Sequence, residues 1–85
     1  MSNAEFGRQI GWTTGKDAVA NMRATASMIA DLPNRADQLR AAGITDEMAA
    51  MWSEFYTAEA ARVPGNPNAE SRSLLMKAIS EHLRR

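Results

Sequence analysis

Val63-Pro64-Gly65-Asn66-Pro67, followed by Asn68-Ala69-Glu70-Ser71-Arg72-Ser73-Leu74-Leu75-Met76, is the stretch whose reading decides the fold. Proline has no amide hydrogen and pushes the residue before it toward extended geometry, so no helix runs through positions 64 to 67. Helical spacing returns on both sides. Upstream, Thr45 fits an N-cap, Asp46 and Glu47 suit the positive end of a helix dipole, and Arg62 suits its negative end. Along that helix Met48, Met51, Trp52, Phe55 and Tyr56 share one side, which makes it the expected centre of a core. Downstream, Asn66 and Asn68 both fit as caps, with Pro67 at the first helical position if Asn66 is the cap. Leu75, Ile79 and Leu83 then recur every four residues, with Leu74, Ala78 and His82 beside them and Arg84-Arg85 closing the chain. The C-terminal half therefore predicts a helix-loop-helix hairpin.

Working toward the N-terminus, Gly43 sits where a helix ends with positive φ, and Ile44 falls where it touches Leu39, the apolar contact of a Schellman ending. That closes a short helix from Asn34 to Ala42, opened by Asn34 with Asp37 in its first turn. An earlier helix is expected from Thr14, with Asp17 completing a capping box and Val19, Met22, Ala26 and Ile29 along one face. Pro33 ends it near Asp31. Residues 1 to 13 hold Phe6, Ile10 and Trp12 among Gly7 and Gly11 without a sustained period, so this part reads as an extended arm, flexible or docking. Ser2-Asn3-Ala4 also has the look of the remnant left by a protease-cleavable tag. The expectation is an all-α array of about four helices, one domain over residues 14–85, around Met22, Ile29, Leu39, Met51, Trp52, Phe55, Leu75 and Ile79.

Length and composition narrow the function classes. A chain of 85 residues has room for one small core, and without cysteine that core has neither disulfide staples nor a cysteine-based zinc site. Ten basic and ten acidic side chains cancel, which argues against the basic surface that gives nonspecific affinity for nucleic acid. No apolar run approaches the roughly 20 residues of a membrane span. Met1-Ser2-Asn3-Ala4-Glu5 lacks the basic and apolar regions of a secretory leader. The chain reads as soluble, either cytoplasmic or exported as part of a larger secreted protein without its own signal peptide.

No set of residues spells out a reaction. His82 is the only histidine and has no partner at metal-ligand spacing, so no metal or cofactor is expected. Asp46, Glu47, Glu54 and Glu59 act as acid and base only if a second helix supplies a further group; otherwise they form a solvated face. Gly65 precedes a helix N-terminus but lacks the further glycines and the lysine of a phosphate loop. A helix-turn-helix around Gly43 would present Asp46, Glu47, Glu54 and Glu59 to phosphates, which they repel. Trp52, Phe55 and Tyr56 fit either a core or a binding hot spot, and Arg72 fits either a surface ion pair with Glu59 or Glu70 or a grip on a partner's carboxylate. The residues marked as partner-binding are thus Trp52, Phe55, Tyr56 and Arg72. Glu54, Glu59 and Arg72, across the third and fourth helices, are the catalytic set of the alternative reading, a compact hydrolase.

Thr13-Thr14-Gly15-Lys16-Asp17-Ala18-Val19-Ala20-Asn21, then Ala42-Gly43-Ile44-Thr45-Asp46-Glu47-Met48-Ala49 with Trp52, Phe55 and Tyr56, then Asn66-Pro67-Asn68-Ala69 with Arg72 and Leu75-Met76, carry a resemblance. They resemble a helical segment at the C-terminal ends of bacterial polymorphic toxins, large secreted proteins of the Rhs and filamentous-haemagglutinin kinds. The matching residues pack and cap; none is a catalytic signature. The resemblance implies a module delivered into a competing cell, with an immunity protein, the remainder of a longer chain or a second copy as its partner. Together these readings favour a non-enzymatic interaction module over an enzyme.

Overall fold

The computed structural model describes residues 1–84; Arg85, the end of the expected domain and last helix, lies outside the described residues. Five helices follow one another: α1 (Asn3–Ile10), α2 (Ala18–Ala30), α3 (Leu32–Ala41), α4 (Asp46–Arg62) and α5 (Ala69–Leu83), with no strand among the described residues. The all-α class is as expected, with one helix more than the four counted from sequence.

The additional helix is α1, where the sequence suggested an extended arm. Ser2 caps it by accepting from the Glu5 amide at 3.2 Å, while the Glu5 carboxylate accepts from the Ser2 amide at 3.4 Å. Such a reciprocal capping box satisfies two amides that the first turn leaves free. At the other end Gly11 has φ of 75°, its amide donates to the Arg8 carbonyl at 3.2 Å, and the Trp12 amide donates to the Gly7 carbonyl at 3.0 Å. This is a Schellman ending, and a second one closes α3, where Gly43 at φ 85° donates to Arg40 and Ile44 donates to Leu39 at 3.1 Å. Leu39 and Ile44 are both buried, as their spacing predicted.

Other boundaries shift for identifiable reasons. Asp17, not Thr14, caps α2: its Oδ1 accepts from Val19 at 3.0 Å and Ala20 at 3.2 Å. The helix α3 starts directly after Asp31, with Pro33 in a first turn that has no use for its missing amide hydrogen. Asn34 is therefore inside α3, and its Nδ2 donates to Asp31 Oδ1 at 3.0 Å. Thr45 does cap α4, accepting from Met48 at 3.1 Å. Before α5, Asn66 Oδ1 accepts from the Asn68 and Ala69 amides at 2.9 and 3.2 Å, so Asn66 satisfies the first turn although Asn68 is its boundary residue.

The organising element is α5, against which α2, α3 and α4 all pack. It buries Leu75, Met76 and Ile79, with Leu83 partly buried. Its firmest neighbour is α4, running antiparallel. Ser53 Oγ donates to the Ser73 carbonyl at 2.9 Å, and Ser80 Oγ donates to the Asp46 carbonyl at 2.8 Å. So close an approach admits only small side chains at the contact. Ala49 is accordingly fully buried, and Met51 and Phe55, both placed in the core from sequence, are turned outward at 68% and 51% exposure. On α2 the buried residues are Asn21 and Thr25, whereas Val19 is 60% exposed and Met22 and Ile29 are only partly buried.

Candidate interaction site

The chemistry of this fold gathers where α1, the loop after it, α4 and the start of α5 meet. Gly7 begins it. A Cβ at Gly7 would overlap the Trp12 ring, so the missing side chain is what lets the indole lie flat on the last turn of α1. The far side of Trp12 meets two residues. Tyr56 of α4 stands edge-on with ring centroids 5.6 Å apart, and the Arg72 guanidinium of α5 lies 3.8 Å from the indole centroid. That second distance is within cation–π range. Arg72 also lies 5.7 Å from the Tyr56 ring, and its Nη2 donates to the Thr13 carbonyl at 3.1 Å. Its Nε is buried without a hydrogen-bond partner.

Beside this stack runs a polar seam. Asn21 Nδ2 lies within hydrogen-bonding distance of the Gly15 carbonyl at 3.0 Å, the Pro67 carbonyl at 2.9 Å and Asn68 Oδ1 at 2.9 Å. Asn68 Nδ2 donates to the same Gly15 carbonyl at 3.0 Å, and Thr13 Oγ1 donates to Asn68 Oδ1 at 3.1 Å. Ser71 Oγ donates to the Asn68 carbonyl at 3.0 Å. The seam thus supplies donors inside the protein to the Gly15 and Pro67 carbonyls and to Asn68 Oδ1. The seam fixes the loop carrying Trp12 to the loop that opens α5.

The aromatic face continues along α4. Phe6 of α1 sits 5.4 Å from Trp52, and Phe55 stands edge-on to Tyr56 at 5.0 Å between centroids. Of the residues marked from sequence as partner-binding, Phe55 is exposed, Trp52 is partly covered beneath Phe6, Tyr56 is 8% exposed, and Arg72 is stacked on Trp12. Burial pushes the pKa of the Tyr56 hydroxyl up from its ordinary value; Arg72 opposes that and Glu59 reinforces it.

The catalytic set of the alternative reading is not assembled. Glu54 lines a shallow groove between α4 and α5 with Lys77 and Arg84. Glu59 lies elsewhere on α4, with both carboxylate oxygens 2.7 Å from Arg62 Nη2. Arg72 pairs with neither Glu59 nor Glu70; its planar group is used against Trp12. His82 borders a hollow with Ile29, Leu32 and Pro33, and no group of metal-ligating side chains exists among the described residues.

Sequence reading missed Gly7, Trp12 and Asn21 as members of one site. A glycine four residues before a second glycine that is itself followed by an aromatic fits a helix C-terminus, and that signal was present in Gly7, Gly11 and Trp12. Asn21 gave none, because a polar side chain within a helix is ordinarily solvated.

Residues 1–83 match the family model described as Domain of unknown function (DUF4951). No curated protein and no solved structure matches the chain. Among the described residues no helix is long and apolar enough to cross a membrane.

Proposed function

Because the chain belongs to this family, whose description carries no activity, we propose from the geometry that it is a non-enzymatic helical interaction module and part of a secreted bacterial toxin or effector. One observation carries the reading. Met51 and Phe55, one turn apart on α4, present large apolar side chains to solvent at 68% and 51% exposure in a chain short of core-forming residues. Side chains at i and i+4 share a helix face, and an aromatic beside a methionine suits an adaptable protein contact. The partner is a protein: an immunity protein, the remainder of a longer effector, or a second copy. The toxin context comes from the resemblance of the capping and packing residues described above.

The hydrolase alternative has less support, since Glu54 and Glu59 face different surroundings and Glu59 is already engaged by Arg62. The interaction reading is tested by sedimentation of the chain across a concentration series, alone and with the product of the adjacent gene. The expected result is a complex in one arm that the Met51→Glu/Phe55→Glu double substitution abolishes while helical content is kept. A complex indifferent to both substitutions, or none in either arm, refutes it.

A further inference from the structure

We propose that residues 1–12 form a latch over the aromatic face of α4, and that opening it extends the exposed pair Met51 and Phe55 into one surface with Trp52, Tyr56 and Arg72. The inference rests on the interaction reading and adds a regulation to it. Its first support is the manner of attachment. While α2, α3 and α4 lie along α5, α1 runs closely along no other helix. It is held through side chains: Phe6 on Trp52, Trp12 on Tyr56 and Arg72, Ala4 and Ile10 packed partly buried against the core, and one long hydrogen bond of 3.5 Å from Arg35 Nη1 to the Ile10 carbonyl.

The latch is also complete in itself. Its capping box and its Schellman ending use only its own residues, and Trp12 folds back on Gly7, so α1 and the indole leave or return as one piece. The connection onward is exposed at Thr14-Gly15-Lys16 but pinned by Arg72 on the Thr13 carbonyl and by Asn21 and Asn68 on the Gly15 carbonyl, so the pivot lies between Trp12 and Thr13. Closure has a polar cost that opening relieves. Arg72 Nε is buried without a partner in the closed form, and water reaches it once Trp12 lifts away. Opposing this is the burial of Phe6 and Trp12, at 1% and 8% exposure. Two arrangements with opposed terms of this kind are what a partner biases.

The surface beneath is continuous, because Phe55 already touches Tyr56 with centroids 5.0 Å apart. Its chemistry selects an amphipathic helix carrying aromatic side chains, of which α1 is the resident example.

The test uses the full chain. Hydrogen exchange followed by mass spectrometry is expected to show α1 amides of the native chain exchanging at least tenfold faster than those of α5, and Gly7→Ala is expected to speed α1 further. Equal protection of α1 and α5 in the native chain, or an α1 whose exchange Gly7→Ala leaves unchanged, overturns the latch. In a Trp52→Phe background, where Trp12 is the remaining tryptophan, acrylamide should reach the indole at urea concentrations below those that remove helical circular dichroism; coincident transitions overturn the proposal. A synthetic peptide of residues 1–12 should bind the Gly7→Ala chain at least tenfold more tightly than the native one, and no difference between them, binding to neither included, overturns the exposed-surface claim. The exchange measurement needs no partner, so it stands or falls separately from the Met51 and Phe55 test.

Discussion

Replacing Gly7 by alanine sets two effects of opposite sign against each other. Alanine in a helix is favoured over glycine by up to about 1 kcal/mol, so helix propensity alone predicts a more stable protein. The structure predicts the reverse, because the new Cβ overlaps the Trp12 ring on the carbons nearest the helix. The chain has two accommodations. Undocking the indole gives up on the order of 150–250 Å² of buried aromatic surface, or about 4–6 kcal/mol at about 25 cal/mol per Å², an upper bound. Tilting the indole and shifting the end of α1 resembles overpacking, which costs about 1–3 kcal/mol. The cheaper route sets the loss, and the full propensity gain reduces it to about 0–2 kcal/mol. For a domain of this size that lowers Tm by up to about 15 °C. Thermal unfolding followed by circular dichroism measures this, and Trp12 emission in a Trp52→Phe background reports whether the indole has moved. A raised Tm with Trp12 still shielded would refute the reasoning, since it would mean that the indole does not rest on Gly7.

Three further outcomes follow from the same geometry. Asn21→Leu takes the side-chain donor from the Pro67 carbonyl, while the Gly15 carbonyl keeps Asn68 Nδ2 and Asn68 Oδ1 keeps Thr13 Oγ1, and should cost about 1–2 kcal/mol in urea unfolding; a loss below about 0.5 kcal/mol would show that water replaces the amide. Gly43→Ala forces a side chain into φ of 85° with open space around it, so the loss should be purely conformational, about 1 kcal/mol, and Gly43→Asn should recover part of it. Tyr56 ionises at higher pH in the folded chain than in the unfolded one, because burial disfavours the phenolate. Its contribution is therefore fully present below the unfolded value near 10 and is lost as pH rises through the folded value, so stability should fall on the alkaline side, and Tyr56→Phe should flatten that fall.

What sequence conveys about this fold depends on which force carries each contact. The apolar phase of α5 was legible because Leu75 and Ile79 are large, four apart and buried, so hydrophobicity and geometry agree. The caps at Thr45 and the ending at Gly43 were legible because each needs a particular side chain or backbone angle at one position. The phase of α4 was not. Its contact with α5 is made by Ala49 and Ser53, which are chosen for smallness, so ranking by hydrophobicity pointed to Met51 and Phe55 on a different face. The helix α1 was hidden because residues 1 to 13 show no sustained apolar period; Gly7 makes room for an indole and Gly11 ends the helix. The candidate site was half legible: Tyr56 and Arg72 were singled out, but their shared neighbour Trp12 comes from a segment that local periodicity left unassigned.

Helices faced with alanine and serine meet along a smooth surface, and smooth surfaces permit sliding by a turn at little cost in burial. The hydroxyl anchors between α4 and α5 remove that freedom. Ser73 and Ser80 on one helix, and Ser53 and Asp46 on the other, are separated by the same number of residues, so both anchors close together in one alignment. A slip of one turn breaks both and leaves the Ser53 and Ser80 hydroxyls without these acceptors. The pair of serines thus works as a vernier, converting a contact that burial alone would leave degenerate into a single setting, and the position of Phe55 relative to Arg72 is set with it.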